Sequence, residues 1–168
     1  GYAATSVREI VEGARVTKPV LYYYFRNKAG LYIEIWKSVE QQFQATLTAS
    51  LSEPGKTARE RITALCLGVF DLFLQNQPAV RLMNAIFWGP PQGVPAIDLE
   101  TFHRRIEQEM IGIAQRGIES GEFRAADPED ITLGVLGILQ LAMDLQLIHP
   151  ERVLTRERLL KLLDVLFT

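Results

Sequence analysis

Apolar residues recur every three or four positions along almost the whole chain, which is the spacing of α-helices that bury one face. Glycine, proline and capping residues interrupt this pattern, and strand-like alternation is confined to the short run Tyr22–Phe25. We therefore predict an all-α protein. The predicted helices cover approximately residues 7–14, 18–25, 28–51, 57–76, 78–88, 95–120, 128–148 and 155–167. In the third helix, Leu31, Ile35, Val39 (or Ile33), Phe43 and Leu47 form the predicted apolar face.

The first two predicted helices are short and joined by a tight turn. Ser6-Val7-Arg8-Glu9 fits a capping box, in which a hydroxyl and a carboxylate each accept a hydrogen bond from a free backbone amide. Thr17 stands where it can cap the second helix, and Pro19 is tolerated in a first turn. This spacing favours a helix-turn-helix, whose second helix can lie in the major groove of DNA. On spacing alone, two helices that merely pack together are the commoner case.

The seventh predicted helix is apolar on almost every side between residues 131 and 148. The apolar run Gly134–Ile148 contains Gln140, Asp144 and Gln146, and we interpret it as too short and too polar to span a membrane. A helix without a polar side needs cover on all sides, which favours a partner subunit. We expect a homodimer in which helices 131–148 and 155–167 of two subunits form a four-helix bundle, with Gly134 and Gly137 allowing close approach.

Composition and charge narrow the choice of function. Apolar residues make up 48% and charged residues 23% of the 168 residues, which is typical of a globular protein, and Cys66 is the single cysteine. Six basic and three acidic residues give positions 1–37 a charge of +3, whereas the remainder carries −5. His103 and His149 stand apart and no glycine-rich phosphate loop follows a strand, so we predict neither an enzyme nor a cofactor. We expect a cytoplasmic protein.

Three stretches near the start resemble the TetR family of bacterial transcriptional regulators: GYAATSVREI at 1–10, VTKPVLYYYF at 16–25 and NKAGL at 27–31. Residues 117–124 with 127–129 resemble the family's junction between its seventh and eighth helices. The resemblance implies a helix-turn-helix DNA-binding domain at 1–37 and a regulatory, ligand-binding and dimerisation domain at 38–168. It also implies a homodimer on a palindromic operator, in most members a repressor released by a small molecule. The family's first helix precedes Gly1, so we expect residues upstream of this chain.

The resemblance assigns roles to eight candidate DNA-binding residues: Thr5, Ser6, Thr17, Lys18, Pro19, Tyr22, Tyr23 and Lys28. The residues at the start of the second helix would face base edges or phosphates, and Lys18 can donate to guanine acceptors. Tyr22 and Lys28 match the family's phosphate-contacting tyrosine and lysine. Ser6, or Thr5, and the helix start beside it would bind another phosphate. We expect Leu21 and Phe25 to pack in the core.

Two residues depart from the family pattern. Arg15 stands where the family commonly has a glycine, so either position 15 adopts a left-handed conformation at a cost of about 1 kcal/mol or the first helix ends at Gly13. Gly30 stands where an acidic residue often completes a capping box, which predicts a looser start of the third helix.

The regulatory part offers eight bulky apolar side chains for a ligand pocket: Phe70, Phe73, Met83, Phe87, Trp88, Phe102, Ile106 and Met110. They predict a largely hydrophobic ligand, with Phe87-Trp88 beside the loop 89–93 at the pocket entrance. Each is also compatible with plain core packing. The alternative for the whole chain is a helical ligand-binding or interaction module without DNA-binding activity.

Overall fold

The structure is a computed structural model that describes residues 1–52, 54–89, 93–151 and 154–167. Over these ranges the chain is entirely helical apart from turns and loops, which confirms the all-α prediction. The helices are α1 (Val7–Ala14), α2 (Lys18–Phe25), α3 (Lys28–Ser52), α4 (Ala58–Gln75), α5 (Gln77–Phe87), α6 (Leu99–Glu119), α7 (Pro128–Ile148) and α8 (Arg156–Phe167).

One predicted helix start is wrong. Pro95 does not reopen a helix, because residues 93–98 are irregular and α6 begins at Leu99. Helix α6 begins at Leu99 because Asp98 is its N-cap: the Asp98 carboxylate accepts a hydrogen bond from the Thr101 amide at 2.9 Å. That hydrogen bond also lowers the pKa of Asp98. Of the predicted loop at residues 89–93, positions 90–92 lie outside the described residues.

The chain divides into two compact units, and the first comprises Gly1–Gln42 and Asn76–Ile97. Its buried apolar side chains are Val11, Leu21, Tyr32 and Trp36. The predicted apolar face of α3 is wrong in this unit, because Leu31, Ile35 and Val39 are only half-buried. The predicted boundary between a DNA-binding domain at 1–37 and a regulatory domain at 38–168 stays a prediction.

The second unit comprises Phe43–Gln75 and Asp98–Thr168, and α4, α6, α7 and α8 pack against one another in it. Its core consists of side chains with almost no exposure: Ile62, Phe70, Met110, Ile113, Val135, Leu159 and Leu163. Phe43 and Leu47 at the C-terminal part of α3 are also buried here, as the sequence predicted. Burial raises the pKa of the Cys66 thiol to about 12, so this core cysteine is neutral and inert at physiological pH.

Residues 117–124 tie α6 to the start of α4. The Phe123 ring lies so close to Gly117 that a β-carbon there would overlap it, and the same ring stacks on Phe167 at 4.9 Å. The Glu122 carboxylate accepts a hydrogen bond from the Arg59 amide at 3.1 Å, in the first turn of α4. Burial alone raises the pKa of Glu122, but hydrogen bonds from two backbone amides and two hydroxyls outweigh it, so the pKa is lowered.

Helix α7 has one face inside the second unit and one outside it. Its buried residues Thr132, Val135, Leu139, Ala142 and Gln146 follow the three–four spacing of a single stripe. The opposite stripe is apolar and exposed, with Leu133, Leu141 and Ile148 on it. Gly134 approaches Leu166 of the same chain, with an ideal β-carbon 3.3 Å from that side chain, whereas Gly137 faces open space. Only Gly137 is therefore available for the predicted approach of a partner.

The prediction that this segment is too short and too polar to span a membrane needs correction. Pro128–Ile148 is long and apolar enough, by length and composition alone, to cross a membrane. That prediction counted only residues 134–148, which are the last fifteen residues of α7. Its buried stripe packs against other helices of the second unit, as the core helix of a bundle does.

Candidate nucleic-acid interface

The start of α1 is fixed by the predicted capping box. The Ser6 amide donates to the Glu9 carboxylate at 2.7 Å, and the Glu9 amide donates to the Ser6 hydroxyl at 3.2 Å. The hydrogen bond from the Ser6 amide lowers the pKa of Glu9, so its carboxylate stays ionised. A helix start leaves four amides without an intrahelical acceptor, and this box uses two of them. The other two, those of Val7 and Arg8, lie at the positive end of the helix dipole, where an anion is favoured.

The turn between α1 and α2 decides between the two conformations predicted around Arg15. Arg15 is left-handed, with φ 55° and ψ 39°, and α1 ends at Ala14 rather than at Gly13. The Arg15 amide donates to the Glu12 carbonyl at 3.2 Å, and the Val16 amide to the Val11 carbonyl at 3.0 Å. The turn therefore keeps the geometry that a glycine would adopt without strain, and the arginine carries the conformational cost.

Helix α2 buries Leu21, half-buries Phe25 and exposes its other side chains. Leu21 is 3% exposed and Phe25 is half-buried, which agrees with their predicted packing. Thr17 occupies the predicted N-cap position, but its hydroxyl makes no capping hydrogen bond. The exposed residues of this helix and its cap form one surface, which we call the α2 surface: Thr17, Lys18, Pro19, Val20, Tyr22, Tyr23 and Tyr24. Tyr23 is its most protruding aromatic, with 81% of the residue exposed.

The junction between α2 and α3 is unusually tight. Arg26 has φ 60°, and the Asn27 amide donates to the Phe25 carbonyl only two residues earlier, at 2.7 Å. The Asn27 side chain caps α3 by accepting from the Gly30 amide at 2.8 Å. A β-carbon at Gly30 would overlap the Phe25 carbonyl oxygen. The looser start predicted for α3 is therefore wrong, because the absence of a side chain at position 30 lets the two helices approach.

Lys28 does not point freely into solvent. Its half-buried ammonium donates to the carbonyl oxygens of Tyr2 at 2.9 Å and Thr5 at 3.0 Å, and it lies 4.3 Å from the centre of the Tyr2 ring. The Thr5 hydroxyl donates to the Gly1 carbonyl at 3.0 Å. Thr5 and Ser6 thus lie beside Lys28, while the other lysine among the candidates, Lys18, is exposed on the α2 surface.

The sequence did not predict a groove of about 270 Å³ in the first unit. Its walls come from the end of α2, the first half of α3 and the start of α5: Phe25, Leu31, Glu34, Ile35, Ser38, Val39, Asn76 and Ala79. The groove explains why the predicted core face of α3 is only half-buried. The periodic apolar residues were visible in the sequence, but their exposure depends on α5, which is distant along the chain.

The candidate ligand-binding residues fall into both units. In the second unit, Phe70 stacks on Phe73 at 5.8 Å, Met110 is buried, and Phe102 and Ile106 are half-buried. In the first unit, Met83 is half-buried, and Phe87 and Trp88 are exposed and packed edge to face at 4.6 Å. Within the described ranges, no cluster of three or more histidine, cysteine or acidic side chains could hold a metal ion.

Comparisons with known proteins point in one direction. The family model described as bacterial regulatory proteins, tetR family, matches residues 1–35, which include α1, α2 and the start of α3. The chain is 23% identical over 168 residues to an uncharacterised HTH-type transcriptional regulator of Bacillus subtilis, YhgD. That alignment covers 98% of this chain and 85% of the relative.

Solved structures share the fold over nearly the whole chain. PfmR, a TetR family transcriptional regulator from Thermus thermophilus, superposes with a TM-score of 0.77 at 23% identity, covering 99% of this chain and 90% of its own. AibR, crystallised in complex with isovaleryl coenzyme A and operator DNA, superposes with a TM-score of 0.72 at 19% identity, covering 99% and 89%. The likeness extends over both units of the chain.

Proposed function

Since the chain belongs to the tetR family of bacterial regulatory proteins, and is therefore a DNA-binding transcription regulator rather than an enzyme, we propose that it is a cytoplasmic, operator-specific repressor released by a small hydrophobic ligand. The observation that carries the DNA-binding assignment is the α2 surface. A single buried leucine anchors this helix, while the residues at its N-terminus and three tyrosines stay exposed. An exposed helix start with hydrogen-bonding side chains suits the major groove.

On DNA, the residues of the α2 surface and the start of α1 have distinct roles. Thr17, Lys18 and Pro19 at the start of α2 reach base edges, and Lys18 donates to the acceptors of guanine. Tyr22 and Tyr23 contact the sugar–phosphate backbone beside them. The Val7 and Arg8 amides at the start of α1 bind a second phosphate, which the positive end of the helix dipole favours.

Operator recognition requires two copies of the α2 surface, which the exposed stripe of α7 would bring together. Leu133, Leu141 and Ile148, with the 74% exposed Val165 of α8, form an apolar face that water disfavours. We propose that this face and its two-fold mate build the dimer interface through helices 131–148 and 155–167. A two-fold interface sets a fixed distance between the two recognition helices, about 34–36 Å or somewhat more for successive major grooves.

The ligand proposal rests on the aromatic residues of α4 and α6. Phe70, Phe73, Phe102, Ile106 and Met110 supply an apolar environment in the second unit, and the contribution of Met83, Phe87 and Trp88 stays a prediction. Because AibR was crystallised with isovaleryl coenzyme A, acyl thioesters are the first compounds to test. A ligand that prefers a form with altered spacing would weaken operator binding by its differential affinity, typically about 1–3 kcal/mol.

The test of DNA binding is a titration of the full-length protein on duplexes selected from a random-sequence pool, repeated over a range of salt concentrations. Affinity must fall as salt rises, because bound phosphates release counterions. Lys18→Ala should lower affinity for the selected duplex and relax its sequence preference, whereas the control Arg104→Ala, which removes an exposed α6 arginine paired with Glu100, should change neither. A chain that selects no duplex would be the helical module without DNA-binding activity.

The test of the ligand is release of the bound duplex by isovaleryl coenzyme A and longer acyl thioesters, together with mass spectrometry of compounds retained through purification. Phe102→Ala should weaken the release, because it removes a ring that a ligand can contact: Phe102 packs edge to face on Phe43 but is only half-buried. Phe87→Ala tests the predicted pocket entrance separately. Release that is unchanged in Phe102→Ala would exclude this part of α6 from the ligand site.

A further inference from the structure

Two arginines flank helix α2, and both have an unusual backbone. Arg15 lies two residues before Thr17, the N-cap of α2, and Arg26 is the C-cap of the same helix. In the described part of the chain they are the two non-glycine residues with a positive φ angle, 55° and 60° respectively. Helix α2 therefore lies between two arginines at positions that favour glycine.

Both positions carry a conformational cost. Arg15 is left-handed, with φ 55° and ψ 39°, so that its β-carbon crowds the following carbonyl oxygen. Arg26, with φ 60° and ψ −39°, is the centre of a γ-turn that the Asn27 amide closes by donating to the Phe25 carbonyl at 2.7 Å. A γ-turn with positive φ is the rare and strained form. Packing does not explain the choice of arginine at either position, because both residues are exposed.

The two arginines also keep their charge unused within the protein. Of the six lysines and arginines at 1–37, three contact protein acceptors, namely Arg8 with Glu12, Lys37 with Glu34, and Lys28 with two backbone carbonyls. Among the described residues, the side chains of Arg15, Lys18 and Arg26 make neither a hydrogen bond nor an ion pair. The side-chain cations without a protein partner in this segment therefore lie on α2 and at its two ends.

A guanidinium suits the phosphates of the DNA that the proposed function supplies. Its planar fork of N–H donors matches two oxygens of one phosphate group. Helix α2 has eight residues and is about 12 Å long, which is about the width of the major groove of B-DNA. Cations at the two ends of a helix in that groove can therefore approach phosphates on both of its sides, while the α2 surface between them faces the bases.

We propose that Arg15 and Arg26 are two further DNA-binding residues, which bind backbone phosphates at opposite ends of α2. This inference rests on the proposed DNA-binding function. The phosphate contacts offset the conformational cost of an arginine at both positions when DNA is bound. Because phosphate contacts carry no sequence information, the two arginines strengthen binding to every duplex, unlike Lys18 at the base edges.

The experiment compares Arg15→Gly and Arg26→Gly with Arg15→Lys, Arg26→Lys and a control, Arg124→Gly. Glycine removes the guanidinium and adopts a positive φ without strain, so these variants should melt no lower than the wild type and a loss of affinity cannot come from unfolding. Lysine keeps the positive charge. Arg124 is exposed in the irregular segment between α6 and α7, and its side chain likewise has no hydrogen bond or ion pair among the described residues.

Affinity of the full-length protein is measured over a range of salt concentrations, both for the duplex that the wild type selects and for an unrelated duplex. In each glycine variant, the slope of log affinity against log salt should become shallower by about 1.8 for a dimer, which is 0.9 for each subunit. At about 0.15 M salt this corresponds to a roughly 30-fold loss of affinity, if the loss vanishes at 1 M salt as pure counterion release does. The unrelated duplex should lose affinity by the same factor. The lysine variants should keep the wild-type slope, and Arg124→Gly should change neither affinity nor slope.

Three results would overturn the proposal. A wild-type slope and affinity in either glycine variant would show that its arginine binds no phosphate. A loss of affinity without a change of slope would assign the effect to the geometry of the turn rather than to charge. A slope that falls as much in the lysine variants as in the glycine variants would do the same. A wild type that selects no duplex would refute the proposed function itself, whereas a salt-dependent wild type with unchanged variants would refute the two arginine contacts alone.

Discussion

The exposed stripe of α7 gives the sharpest prediction about assembly. Leu133 is 71% exposed in the isolated chain, and it shares its stripe with Gly137 and Leu141 at intervals of four residues. Full burial of a leucine side chain stabilises by about 2 kcal/mol, so covering the exposed part of Leu133 is worth about 1.4 kcal/mol. A two-fold interface contains this contact twice, which makes about 2.8 kcal/mol for the dimer.

Leu133→Asp should therefore raise the dimer dissociation constant at least about 100-fold, since each 1.4 kcal/mol corresponds to a factor of ten. A carboxylate buried without a partner would add to this loss. The folded subunit should persist, because Leu133 makes no part of the buried core. Sedimentation equilibrium of the wild type and the variant measures the constant, and thermal unfolding checks the fold.

The control is Leu74→Asp, which introduces the same charge at an exposed leucine of α4, 39% exposed and outside both proposed interface helices. It should leave the dimer constant unchanged. Our assignment of the interface would be refuted by a wild type that stays monomeric at micromolar concentration, or by a Leu133→Asp dimer as stable as the control. Preferential partitioning of the wild type into lipid vesicles would instead make α7 a membrane-binding helix.

Three further predictions concern the folded subunit and are checked by urea unfolding. Arg15→Gly should raise the free energy of unfolding by up to about 1 kcal/mol, because glycine adopts φ 55° without steric cost. Gly30→Ala should lower it by about 1–3 kcal/mol, since the new methyl group overlaps the Phe25 carbonyl; an unchanged stability would contradict the tight junction. Glu122→Gln should lower it by about 1 kcal/mol at neutral pH, as expected for a weakened helix cap. The pKa of Glu122 is lowered on folding, so its stabilisation is present above the ordinary glutamate value and is lost as the pH falls through the folded value. The difference between wild type and Glu122→Gln should therefore shrink below roughly pH 4.3, and a difference independent of pH would show that the carboxylate is not the cap.

Local sequence signals determined the helices and the start of the site. The Ser6–Glu9 capping box and the Asp127 cap of α7 depend on residues a few positions apart, so they can be read directly from the sequence. The anchoring of α2 by Leu21 was predictable for the same reason. The left-handed conformation of Arg15 was one of two outcomes predicted from the sequence, because it depends only on residues within the turn itself.

What the sequence could not supply is the surroundings of each apolar face and each long side chain. Periodicity placed Leu31 and Ile35 on an apolar face of α3, but α5 decides that this face lines a groove. Lys28 could be assigned by resemblance, yet its partners lie 23 and 26 residues away and appear only when the chain has folded. Likewise, α7 is apolar on nearly every side, and tertiary packing alone selects which stripe is buried and which remains exposed. Helix formation depends on neighbours along the chain, whereas burial and charge pairing depend on neighbours in space, and only the fold specifies those.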